Sequence, residues 1–262
     1  MKHSKDHAPP FPTDVDIGFH DGPLGRMRSR SVGRARPDTP EVVVVQGMSV
    51  ADYLMPGLGA LGAWTRAHLV ELPGFAGSGE PPHELDVPEF GQCVADWIRA
   101  QCLEPVILAG HSSGTQVAAR AAVGHPAVAG VVLAGPTVDP SARGLLRILI
   151  RWRLNGRYEP PGLSELHIPE WKRAGARRLL HLVLVHLADP LEEQVRQLRV
   201  PSLVIHGEQD RISTEAWARQ LAKMGPGGGY VEVPGAHSFP WLDSESWSAP
   251  VRRLAIDAGR PR

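Results

Sequence analysis

The segment PVILAGHSSGTQVAARAAV, residues 105–123, carries three signals in succession. Pro105 to Ala109 is a short apolar run of the kind buried as a strand, Gly110 interrupts it, and the Ala-rich stretch from Ser113 to Val123 reads as a helix. At the junction stands Gly110-His111-Ser112-Ser113-Gly114, a G-x-S-x-G pattern. In a chain with 28 glycines the pattern arises easily by chance. Its weight here comes from the flanks. A serine on a sharp turn from strand to helix is held above the sheet, and the glycines let neighbouring backbone pass without a side-chain clash. The N–H of Ser113, at the start of the helix, then points toward any negative charge that develops beside the serine.

Outward from this junction, runs rich in Val, Ile and Leu recur with helix-length intervals, the rhythm of βαβ units and a mostly parallel sheet. The strand candidates are Glu41 to Gln46, His68 to Leu72, Pro105 to Ala109, Val128 to Ala134, Ser202 to His206 and Tyr230 to Val233. Unbroken runs such as Val42 to Val45 imply burial on both faces, hence central strands. Asp14 to His20 and Arg26 to Val32 flank Gly22, Pro23 and Gly25 and read as an antiparallel edge hairpin. Helices are expected over Val50 to Ala63, Pro88 to Gln101, Ser113 to Val123, Thr214 to Lys223 and Ser244 to Ile256. Between Pro140 and Val200 the alternation stops and the chain becomes helical and Arg-rich. The expected organisation is a disordered leader over 1–13, an α/β core formed by 14–139 and 201–262, and a helical cap over 140–200.

A serine hydroxyl attacks carbonyl carbon only when a base takes its proton, so a histidine oriented by a carboxylate must come from elsewhere in the chain. Asp210 lies in SLVIHGEQD just beyond one apolar run, and His237 lies in VPGAHSF just beyond the next. The order Ser112, Asp210, His237 places all three at the carboxyl edge of a parallel sheet, where open α/β sheets bind their ligands. Asp139, which follows the preceding strand, is the alternative acid. His111 and His206 read as packing residues or local hydrogen bonders, Asp243 as a helix N-terminal residue and Glu208 as a loop carboxylate. His181 and His186 are five apart, which is not a helix-face spacing, and nothing else offers ligands at metal spacing. Neither metal nor cofactor is expected.

From Val15 to Ile256 the sequence resembles the α/β-hydrolase superfamily. GHSSG resembles its nucleophile elbow, PSLVIHGEQD its acid-bearing strand and loop, VPGAHSF its histidine loop, and ELPGFAGSGEPP (71–82) the loop after its fourth strand. The resemblance implies an eight-stranded sheet with a helical lid after the sixth strand, a triad of Ser112, Asp210 and His237, and an oxyanion hole built from the backbone N–H groups of Met48 and Ser113. After its third strand the family usually has His-Gly, but here the run is Gln46-Gly47-Met48. Backbone donation by Met48 survives this change, whereas the orienting contact of that histidine does not.

Composition limits the partners. The chain has 262 residues, 42% hydrophobic and 21% charged, as in an ordinary globular protein. Its 28 basic and 28 acidic residues cancel, so nothing draws it to nucleic acid or an anionic membrane. No apolar stretch approaches a membrane span, and Met1 to Pro12 lacks the apolar run of a signal peptide. Cys93 and Cys102, the two cysteines, fall nine apart in one expected helix and fit a reducing cytoplasm better than a disulfide. Only four of the basic residues are lysine, and Ala, Gly and Pro abound, a weak pointer to a high-GC bacterial genome. Between Ser141 and Val200 there are eleven Lys or Arg against six Asp or Glu. Arg143, Arg147 and Arg151 are spaced to share a helix face, either solvated or recruiting an anionic substrate or an acyl carrier. Trp152, Trp171, Leu182 and Leu184 are candidates for pocket walls or for core. The function expected is hydrolysis of a small-molecule carboxylic ester, lactone or thioester through an acyl-serine. The alternatives are carbon–carbon hydrolysis, a lyase or a cyclase step with the same triad, and a non-catalytic small-molecule receptor.

Overall fold

A computed structural model describes residues 11–101 and 103–259. The chain begins with the expected hairpin, Asp16–Gly22 (β1) antiparallel to Gly25–Val32 (β2). Glu41–Val45 (β3) follows, and then, after a 3-10 turn at Asp52–Leu54, Met55–Gly62 (α1). The helix anticipated over Val50 to Ala63 is shorter at its start, with Pro56 in its first turn, where a missing N–H goes unused. Ala67–Glu71 (β4), Val87–Ala100 (α2), Val106–His111 (β5), Gly114–Ala122 (α3) and Val128–Ala134 (β6) continue the alternation. Four helices come next: Leu145–Asn155 (α4), Leu163–Ala174 (α5), Ala176–Ala188 (α6) and Leu191–Gln197 (α7). The chain then returns to Ser202–Gly207 (β7), Glu215–Met224 (α8), Gly229–Val233 (β8), the short Phe239–Leu242 (α9) and Ser244–Ala258 (α10). The eight strands form one sheet in the order β1-β2-β4-β3-β5-β6-β7-β8, parallel from β4 to β8.

The unbroken apolar runs divide between two cores. Along β3, Val43 and Val45 face one layer while Val42 and Val44 face the other, and Val106 and Leu108 of β5 are split in the same way from Ile107 and Ala109. Side chains alternate across a strand, so a strand buried on both sides must be apolar at every position. One layer is covered by α2, α3 and α8 through Phe90, Trp97, Val117 and Trp217, the other by α1 and α10 through Leu58, Leu61, Trp247 and Val251. Burying each such Val or Leu stabilises the fold by roughly 1.5–3 kcal/mol. The start of α2 is fixed by a capping box: Asp86 Oδ1 accepts from the Glu89 N–H at 2.9 Å, and Glu89 Oε2 accepts from the Asp86 N–H at 2.9 Å.

The helices α4 to α6 and the segments joining them lie above the serine and are tied down by named bonds, whereas α7 packs beside α3 and α8 through Leu191 and Val195. Gln116 of α3 donates through Nε2 to the carbonyls of His186 and Asp189, each at 2.8 Å, and Arg120 pairs with Asp189 at 2.6 Å. From the other side, Arg178 donates to the Gly74 carbonyl at 3.0 Å and Trp171 Nε1 to the Met48 carbonyl at 3.2 Å. Cys93 is a buried free thiol on α2, its pKa pushed up to about 12, chiefly by burial. Cys102 and residues 1–10 of the expected leader lie outside the described residues. Among the described residues, no helix is long and apolar enough to cross a membrane.

Candidate active site

The turn between β5 and α3 is as tight as the sequence requires. Ser112 sits at φ 56°, in the left-handed region that non-glycine residues rarely occupy. A Cβ on Gly110 would stand 2.2 Å from the Gly114 carbonyl oxygen, and a Cβ on Gly114 would stand 2.5 Å from those of Val45 and Gln46. Both glycines are therefore demanded by backbone approach. Together they let the serine reach the sheet edge beside the end of β3.

Asp210 and His237 reach the same point from the ends of β7 and β8. His237 Nε2 is 2.8 Å from Ser112 Oγ, and His237 Nδ1 is 2.7 Å from Asp210 Oδ2. The other carboxylate oxygen, Asp210 Oδ1, accepts from the backbone N–H groups of Ile212 (2.8 Å) and Ser213 (2.9 Å), which fixes its plane. All three side chains are buried, Ser112 at 6% exposure. Burial opposes protonation of His237, but the adjoining Asp210 carboxylate and the more distant Glu159 outweigh it, and the pKa is raised. The pKa values of His111 and His167 are lowered instead, by burial first.

Several residues around this line were not foreseen. His111 Nε2 donates to the His237 carbonyl at 2.8 Å, and its Nδ1 accepts from the Tyr53 hydroxyl at 2.5 Å, so the residue read as a local hydrogen bonder braces the histidine loop. Glu159, in the segment between α4 and α5, accepts at Oε1 from the backbone N–H of Ser238 (3.2 Å) and from Asn155 Nδ2 (2.5 Å). Asn155 in turn accepts at Oδ1 from the Arg211 N–H at 3.0 Å, joining this network to the loop that carries Asp210. In the sequence Glu159 is one of six acidic residues in a helical stretch. The only hint of a special place was the Pro160-Pro161-Gly162 turn beside it.

The two expected oxyanion donors stand at the serine in unequal states. Ser113 leads into α3, its backbone N–H at the helix start. The Met48 N–H donates at 2.8 Å to the Ser113 hydroxyl. Met48 and Ser49 both have positive φ, 41° and 65°, so the loop after β3 is held in an unusual conformation to make this contact. Gln46, where the family usually has histidine, is buried, and neither of its amide atoms finds a hydrogen-bond partner among the described residues.

Two carboxylates competed for the histidine, and the geometry brings only one to it. Asp139 Oδ2 accepts from Arg151 Nη1 and from the Thr214 hydroxyl, each at 2.8 Å, and Oδ1 accepts from the Ser141 N–H and hydroxyl. The basic row also differs from its expected form. Gly144, extended at φ −164°, separates Arg143 from α4, so only Arg147 and Arg151 share that helix. Arg143 pairs with Glu192 (2.8 Å), Arg151 with Asp139, and Arg147 donates to the Ser141 carbonyl at 3.3 Å.

Above the serine lies a cavity of about 470 Å³ bounded by Tyr53, Trp152, Glu159, His167, Trp171 and His237, and it connects the triad to solvent beneath the helical cover. A smaller apolar recess of about 40 Å³ reaches from Ser112 and Met48 between α4 and α6, along Ile148, Leu149, Val183 and Leu187. No group of three or more His, Cys, Asp or Glu suited to a metal occurs among the described residues.

A family model described as "Alpha/beta hydrolase family" matches residues 42–255. Solved structures share the fold at low identity. A hydrolase from Pseudomonas aeruginosa PA01 superposes with a TM-score of 0.73 at 19% identity, over 91% of this chain and 98% of that one. The enol-lactonase from Burkholderia xenovorans LB400 gives 0.73 at 17%, over 90% and 99%. A thermophilic esterase from Thermogutta terrifontis gives 0.70 at 20%, over 95% and 100%. Among curated proteins, no sequence matches.

Proposed function

We propose that this chain, which belongs to the alpha/beta hydrolase family and is an α/β-fold hydrolase, cleaves a small-molecule carboxylic ester, lactone or thioester through an acyl intermediate on Ser112. The observation that carries the reading is the continuous line from Asp210 through His237 to Ser112 Oγ, with contacts of 2.7 and 2.8 Å, open to the cavity. In this reading His237 Nε2 takes the hydroxyl proton as Oγ attacks the carbonyl, then returns it to the leaving oxygen or sulfur. The raised pKa of His237 suits a base that must become imidazolium beside a fixed carboxylate. Water then attacks the acyl-serine by the same proton route and releases the acid.

Negative charge on the attacked oxygen is met by the Ser113 N–H and, at the Met48 side, by one of two donors. While Met48 donates to Ser113 Oγ, the hydrogen of that hydroxyl is free to serve; if the hydroxyl turns away, the Met48 N–H serves directly. The helices within 140–200 act as the cap that covers the cavity, and the small recess would hold a short apolar acyl or alkyl group. Recruitment of an anionic substrate or acyl carrier by Arg143, Arg147 and Arg151 finds no support in their contacts, since each is bonded within the fold. A cytoplasmic setting is included in the reading, supported by the free thiol of Cys93.

The test is hydrolysis of short nitrophenyl esters, followed by labelling with a serine-reactive fluorophosphonate and location of the added mass. Turnover with the label on Ser112 is expected. An absence of both would leave the fold without this chemistry and favour a receptor.

A further inference from the structure

Among the described residues that line the cavity, Glu159 has the one buried polar side-chain atom without a hydrogen-bond partner. Its Oε1 is held by Asn155 Nδ2 and the Ser238 N–H, whereas Oε2 is buried and has no hydrogen-bond partner. Neither lysine nor arginine lines the cavity, and none of the ion pairs among the described residues includes Glu159. Arg211 approaches only with its backbone N–H at Asn155, while its guanidinium stacks on Tyr158 at 5.2 Å. A buried carboxylate is normally compensated by a cation or by donors to both oxygens. Here one oxygen lacks a donor, and the charged partner that acts on the carboxylate is His237, which must be neutral to serve as the base.

The surroundings favour a particular occupant. Trp152 and Trp171 lie stacked at 5.8 Å, and His167 packs at 5.1 Å from Tyr53 and 5.2 Å from Trp171, so four aromatic side chains line the same cavity as the carboxylate. An ammonium ion is attracted both to a carboxylate and to aromatic faces. An anionic group would add a second negative charge beside Glu159, and a purely apolar one would leave the carboxylate charge unpaired.

We infer that the cavity selects a substrate bearing an ammonium group, with Glu159 as the residue that pairs with it while the scissile carbonyl lies at Ser112. The inference rests on the acyl-serine reading and names the substrate class for the same site. Burial raises the Glu159 pKa against the opposing effect of His237, and a bound ammonium would relieve the cost of burial.

The experiment compares two nitrophenyl esters of equal chain length, one of an ω-amino acid and one of the straight-chain neutral acid, in wild type and in Glu159→Gln. Wild type is expected to prefer the ammonium ester in kcat/KM by about tenfold or more, the scale of one well-placed ion pair. In the variant the ratio should fall toward one. If Glu159 merely holds the Ser238 N–H, both esters lose equally and the ratio stays, which overturns the inference; so does a wild-type ratio of one or less. A binding measurement independent of turnover and of the folding of the Glu159 variant uses Ser112→Ala. Butylammonium chloride should alter its tryptophan fluorescence saturably, through Trp152 and Trp171, whereas butanol at the same concentrations should not. Ester turnover without ammonium preference would sink the inference and keep the acyl-serine reading. Saturable ammonium binding without turnover of either ester would overturn the acyl-serine reading and leave the cavity as an ammonium site without this chemistry.

Discussion

Asp210 and Asp139 end neighbouring strands, and both are bonded through both carboxylate oxygens, yet replacing each by asparagine should damage different properties. In Asp210→Asn, Oδ1 can still accept from Ile212 and Ser213, so the new amide nitrogen takes the place of Oδ2, 2.7 Å from His237 Nδ1. Two donors cannot face each other. Nδ1 must therefore accept, the ring proton moves to Nε2, and the atom that should take the Ser112 proton already carries one. Loss of the carboxylate also removes the charge that stabilises imidazolium. The expected fall in kcat is on the order of 10⁴-fold, about 5 kcal/mol of transition-state stabilisation.

In Asp139→Asn the lost partner is Arg151, which bonds Oδ2 at 2.8 Å with the two side chains only 20% and 10% exposed. Losing one charge-assisted bond of this kind costs roughly 2 kcal/mol, or about 4–8 °C in Tm for a domain of this size. Turnover should stay within a few-fold, because no atom of Asp139 touches the histidine. Burial opposes ionisation of Asp139, but its bonds to Arg151, Ser141 and Thr214 outweigh that, and its folded pKa is lowered. Its contribution is therefore complete above the unfolded pKa and is lost as pH falls through the folded one. The stability gap between wild type and variant should close in the acid range below the ordinary aspartate value. Initial rates on a nitrophenyl ester and thermal melts across pH read the two effects separately. Loss of turnover in Asp139→Asn with retention in Asp210→Asn would refute the assignment.

Ser112→Ala should lose on the order of 10³-fold or more in turnover with an unchanged melting temperature, and should no longer take up fluorophosphonate; a labelled variant would mean another nucleophile. Ser113→Ala should cost less than about tenfold in kcat, because removing the hydroxyl frees the Met48 N–H to take its place; a loss of about 10²–10³-fold would show that the hydroxyl itself is the donor. The pH profile of kcat/KM should rise through an apparent pKa above that of an ordinary histidine, since neutral His237 is required and its pKa is raised. Glu159→Gln should shift that limb to lower pH, because the Glu159 charge is one cause of the rise; an unmoved limb would separate the two groups electrostatically. Replacing Arg143, Arg147 and Arg151 together by glutamine should lower Tm and affect neutral and anionic esters alike; a selective rise in KM for the anionic ester would restore the substrate-recruiting role.

The parts of this protein that could be read from its sequence share a physical character: their geometry is set locally. The strand run before Gly110 and the Ala-rich helix after Gly114 force Ser112 onto the turn between them, whatever the rest of the chain does. Asp210 and His237 inherit their positions from the strands they follow, and parallel strands end on one side of a sheet. Asp139 obeys the same rule, so position alone left it an alternative. What distinguishes it from Asp210 is a contact the local sequence cannot encode, an arginine on a helix twelve residues later turning back to it.

What the sequence hid lies where side chains from distant segments meet. The bond between Met48 and Ser113 joins residues 65 positions apart, and whether a backbone N–H is free or occupied depends on that approach. Arg143 looked like the first member of a helical row until Gly144 broke the helix before it began. Glu159 acquires its place from the connection between α4 and α5, which puts it beside Ser238, 79 residues away. The division has a consequence for function. The groups proposed to break the bond sit on strand ends, where local sequence speaks clearly, while Glu159, His167, Trp152 and Trp171, which line the cavity, sit on α4, α5 and the segment between them. The proposed chemistry is therefore legible at the sheet edge, and the proposed choice of substrate rests on the cavity above it, on residues such as Glu159 whose surroundings only the folded chain assembles.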